Sequence, residues 1–142
     1  METSDLRRHQ IIKSLMAEPN EKVADAAIDL WERLAAQIIS IVGDEGFSSL
    51  YARCIFLSRS KYPWLSVSQL TPSADRQFAE LKTSLEGQTP AQASEANSLL
   101  LINFTNILAS LIGEQLTTRI LGLAWGIDTS NSTNSIDMEL QK

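Results

Sequence analysis

The stretch that most constrains this chain runs from Ala96 to Trp125, "ANSLLLINFTNILASLIGEQLTTRILGLAW", whose first 18 residues carry no formal charge. That length sits near the lower limit of about 17 to 20 residues for a helix crossing the hydrocarbon of a bilayer. Its content argues against that use: Asn97, Ser98, Asn103, Thr105, Asn106 and Ser110 fall inside it, and no cationic or aromatic girdle brackets it. We expect no membrane partner and read the stretch as the central wall of a helical core, a wall that can also face a pocket or a dimer partner.

A chain of 142 residues can bury about two-thirds of its unfolded surface, which suits a single domain. With 12 Lys plus Arg against 17 Asp plus Glu, the net charge is −5. The cations read as scattered, so no basic footprint for a phosphate backbone is present and no nucleic-acid partner is expected. The lone Cys54 cannot form an internal disulfide, and the mixed charges of "METSDLRRHQ" do not resemble a signal peptide. The expected setting is the cytoplasm, where the N-x-[ST] strings at Asn103 and Asn131 are chance matches.

The spacing predicts an all-α bundle of five to six helices. Thr3 or Ser4 caps a first helix to about Ala17, with Ile11, Ile12, Leu15 and Met16 as its stripe, stopped by Pro19 and Asn20. A second helix spans about Asn20 to Val42, where Val23, Ala27, Leu30, Leu34, Ile38 and Ile41 recur at helical spacing beside Ala24, Ile28, Trp31, Ala35 and Ile39. Gly43 breaks it, and Phe47, Leu50, Tyr51, Cys54, Ile55 and Leu57 mark a third that ends before Pro63. Thr71 with Pro72 opens a fourth closed by Gly87, and Thr89 with Pro90 opens the long apolar helix. No segment alternates long enough to argue a strand. The helical domain covers 1–126, and the polar, aperiodic 127–142 reads as a disordered tail. Trp31, Leu34 and Ile38 are expected to pack on Leu100, Phe104, Ile107 and Leu111.

Two strings read alike, "IISIVGDEGFSSLYARCIF" and "ILASLIGEQLTTRILGLAW". Each has an apolar helix, a hydrophobic-Gly-acid step, hydroxyl residues, and an Arg before another apolar run. Aligned on Arg53 and Arg119, the second lacks one turn. This is compatible with two helix-Gly-helix hairpins about a pseudo-two-fold axis, and equally with similar composition giving similar strings. Arg53 and Arg119 both fall beside apolar neighbours, so each either needs an acidic partner or snorkels to the surface. The expected pairs are Arg53 with Glu114, and Arg119 with Asp44 or Glu45.

Catalytic signatures are missing from this reading. A single histidine and a single cysteine cannot supply a thiolate-metal site or most nucleophilic triads. His9 lies among basic neighbours and reads as solvated rather than as a phosphoacceptor, and Cys54 as a small buried hydrophobe. Glu21, Asp25, Asp29 and Glu32 share a helix face, but the histidines that a carboxylate di-metal bundle also needs are lacking, so the acids read as a wet face with Asp29 and Arg33 paired. No metal or other cofactor and no enzyme activity is expected.

"LYARCIFLSRSKYPWL" and "LIGEQLTTRILGLAW" resemble strings of small all-helical bacterial proteins to which no activity is attached. The resemblance implies a bacterial, cytoplasmic setting and no residue roles. The first functional reading is an interaction module or regulatory adaptor, acting as a homodimer or on a protein partner through a helical face. The alternative is a small-molecule sensor whose apolar pocket is walled by Trp64, Asn103, Phe104, Ile107 and Trp125.

Overall fold

The computed structural model describes residues 2–16, 22–65 and 74–126, and among them every regular element is helical. The elements are α1 (Glu2–Leu15), α2 (Val23–Ser58), α3 (Ala74–Glu86), α4 (Pro90–Ile112) and α5 (Glu114–Trp125). The bundle is a single all-α domain. The Thr71 cap and the tail from residue 127 lie outside the described residues.

The start of α4 follows its sequence signals. Thr89 holds an extended backbone, its hydroxyl accepts the Gln92 N–H at 3.1 Å, and Pro90 takes the first helical position, where a missing N–H costs nothing. At its other end the Gly113 N–H closes on Ala109 O at 2.8 Å, and the chain turns at φ 96, ψ 156 into α5. The same device sits inside α2. Gly43 takes φ 84, ψ 169, so α2 is two limbs, 23–42 and 44–58, meeting at a corner. Both glycines occupy a region of backbone space that is closed to a Cβ.

Counted from these two glycines, burial repeats with an offset of 70 residues. Trp31, Leu34, Ala35 and Ile38 before Gly43 match Leu101, Phe104, Thr105 and Leu108 before Gly113, and all eight are buried. After the glycines, Phe47, Tyr51 and Cys54 match Thr117, Leu121 and Ala124, again all buried. The halves also hold each other reciprocally: the Cys54 thiol donates to Leu100 O at 3.0 Å, and Trp125 Nε1 donates to Leu30 O at 2.9 Å. Residues 30 and 100 correspond under the same offset. The short helices are exchanged in the same sense, α1 packing on α4 and α5 while α3 packs on α2.

This register corrects the alignment on the two arginines. Arg53 corresponds to Leu123 and Arg119 to Ser49, with no turn missing. What repeats is the phase of burial from each glycine, which residue types at exposed positions do not report.

The core gathers where the first limb of α2 crosses α4. Trp31 meets Phe104 and Tyr51 edge-on, with ring centroids 5.3 and 5.2 Å apart, and Phe47 lies 5.5 Å from Phe104. The indole N–H of Trp31 is satisfied by Asn97 Oδ1 at 2.8 Å, so an asparagine inside the apolar stretch has an internal partner. α4 is long and apolar enough to cross a membrane by length and composition; in the fold it touches all four other helices. Trp31, Leu34, Ile38, Leu100 and Phe104 are buried as expected, and Ile107 is half-buried. Leu111 departs from expectation at 65% exposed, in the last turn of α4 beside the Gly113 corner.

Candidate interaction surfaces

α1 runs antiparallel to α4 and is held at two points. Near its end, Met16 O accepts from the Ser94 hydroxyl at 2.6 Å and Met16 Sδ from Asn97 Nδ2 at 3.5 Å. One helical turn beyond the buried Ile12, Arg8 is 1% exposed and grips Glu114 with two bonds, Nε to Oε2 at 2.7 Å and Nη2 to Oε1 at 3.0 Å. Its Nη1 donates to Thr105 Oγ1 and Asn106 Oδ1, each at 2.8 Å. Asn106 Oδ1 also meets His9 Nε2 at 3.2 Å, so half-buried His9 sits against the network rather than free in solvent. Glu114 opens α5, where the helix dipole favours a carboxylate.

This assembly replaces the expected pair. Both Glu114 oxygens are taken by Arg8, while Arg53 is exposed and unpaired among the described residues. Arg119, Asp44 and Glu45 are likewise exposed, and no bond joins Arg119 to either acid. Both arginines end at the surface because their positions fall between buried ones in the phase set by the glycines. The surface pair Asp29–Arg33 forms at 3.0 Å, and Lys82 meets Asp25 at 2.9 Å, which raises the Lys82 pKa.

The five wall residues of the sensor reading are engaged in packing. Phe104 is inside the aromatic cluster, Asn103 Nδ2 donates to Ser58 Oγ at 2.9 Å, Trp125 is tied to Leu30, and half-buried Trp64 packs on Tyr62 with centroids 5.7 Å apart. Ile107 packs against the core. Cys54 is buried, and burial raises its thiol well above the ordinary value of 9.0. Among the described residues no group of His, Cys, Asp and Glu could hold a metal ion.

Among the described residues, large exposed apolar side chains include two groups. At the glycine corners Ile41 and Leu111, equivalent under the 70-residue offset, are 54% and 65% exposed, joined by Val42 on one corner and Leu116 on the other. The second surface is an open recess of about 430 Å³ lined by Phe56, Leu57, Arg59, Ser60 and Pro63. Phe56 is 70% exposed there. A signal for this recess lies in the sequence: between Glu45 and Asp75 the chain has Arg53, Arg59 and Lys61 and no carboxylate. The cations are therefore less scattered than their total suggests. Comparison with known proteins gave no match to a protein family, to a curated protein or to a solved structure.

Proposed function

We propose that this chain is a non-enzymatic interaction module, a regulatory adaptor that works through a helical face and pairs with itself through its glycine corners. The observation that carries this reading is the matched exposure of Ile41 and Leu111, two bulky aliphatics at equivalent places in the two halves. Scattered exposed leucines are ordinary on any protein. Covering each of these aliphatics fully would be worth about 1.5 to 3 kcal/mol, which favours an interface at both corners. A two-fold interface is self-complementary, and the exposed aliphatics at the two corners offer apolar surface for one.

Sedimentation velocity from low to high micromolar concentration tests the reading. A rising weight-average sedimentation coefficient, abolished in Ile41→Asn/Leu111→Asn with helicity retained, is the expected result. A monomer at every concentration would remove self-pairing from the account.

A further inference from the structure

We propose that the recess at the end of α2 is a second docking site, and that its occupant is a short segment of another protein in which bulky apolar side chains are flanked by carboxylates. This extends the interaction-module reading to a surface separate from the glycine corners. Phe56, Leu57 and Pro63 give the recess its apolar lining, while Arg59 and Ser60 add a cation and a hydroxyl. Arg53 lies three and four residues before Phe56 and Leu57, on the same face of the helix. Neither Arg53 nor Arg59 has a carboxylate partner among the described residues.

Charge complementarity selects the occupant. The stretch from Gly46 to Ala74 carries three cations and no acid in a chain of net charge −5. A large aromatic exposed beside unpaired guanidiniums is the combination that anchors a partner, with the arginine giving directional bonds to a carboxylate. Two residues of this surface have unlike counterparts in the two-fold repeat. Phe56 corresponds to Gly126, which caps α5 in the left-handed region, and Arg53 to Leu123.

Fluorescence anisotropy on the full chain tests the site, using a labelled peptide with a central Leu-Leu pair flanked by glutamates, its lysine-for-glutamate counterpart, and vesicles of phosphatidylserine or phosphatidylcholine. The acidic peptide should bind and weaken with added salt, and the lysine peptide should not. Phe56→Ala should weaken binding about tenfold, as truncation of an anchoring residue does, and Arg59→Glu should weaken it as well. Both variants should keep wild-type helicity and self-association, and Ile41→Asn/Leu111→Asn should keep peptide binding, so failure at one surface is separable from failure at the other. Equal binding of both peptides, no binding of the acidic one, or binding unchanged in Phe56→Ala and Arg59→Glu would overturn the proposal. Capture by phosphatidylserine vesicles without peptide binding would overturn it in favour of a membrane surface.

Discussion

Among the described residues Arg8 is the charged side chain that is buried, and hydrogen bonds from its guanidinium to Glu114, Thr105 and Asn106 offset the loss of water. Removing one partner strands the other. Arg8→Met or Glu114→Gln should each lower the unfolding free energy by about 3 kcal/mol, the low end for a buried pair because Glu114 keeps 22% exposure. Urea denaturation checks this, with Arg53→Met as the contrast, expected within about 0.5 kcal/mol of wild type. The latch was within reach of the sequence. Positions 8, 12 and 16 share one helical stripe, and Ile12 and Met16 were read as apolar; only the charge of Arg8 hid its membership. Cys54 and Tyr51 carry a prediction about pH. Burial raises both pKa values, above the ordinary 9.0 and 10.0. As pH climbs past those values the unfolded chain releases protons that the folded chain retains, so stability falls with rising pH in the alkaline range. Cys54→Ala should flatten that fall, measured as urea midpoints between neutral and alkaline pH. In the native protein the thiol should react with a disulfide reagent only at the rate of unfolding.

At the scale of elements, the hydrophobic-Gly-acid steps were legible as helix breaks, and so were the Thr89–Pro90 start and the Gly113 stop. Their common geometry was not, because a sequence shows that a glycine is present and not which dihedrals it adopts. The two corners make a matched test. Gly43→Ala and Gly113→Ala should each cost about 1 to 3 kcal/mol, since a Cβ would meet open space and the whole penalty comes from the backbone. Thermal unfolding followed by circular dichroism reads both, and a neutral effect at either position would show that its corner can relax. The first helix shows where local reading stops. Its stripe predicts a helix, but the residues that hold it, Ser94, Asn97, Thr105 and Glu114, lie about eighty to a hundred positions away, beyond what periodicity can report.

Across the whole molecule, the all-α class and the pairing of the second helix with the long apolar one followed from spacing, because a core must collect the apolar stripes of its longest helices. Leu34→Ala should accordingly cost about 2 to 5 kcal/mol in urea denaturation, the penalty of emptying a filled core position. The interaction surfaces were less legible. Ile41 and Leu111 continue stripes that are buried elsewhere, and only the path of the chain past the core brings them out into solvent. Self-pairing through those corners can be read residue by residue in a methyl NMR dilution series on the 142-residue chain. Concentration-dependent shifts are expected at the methyls of Ile41, Val42, Leu111 and Leu116, with Leu34, Leu100 and Leu57 unmoved. Shifts at Leu57 with the corner methyls silent, or no shifts at any concentration, would contradict it.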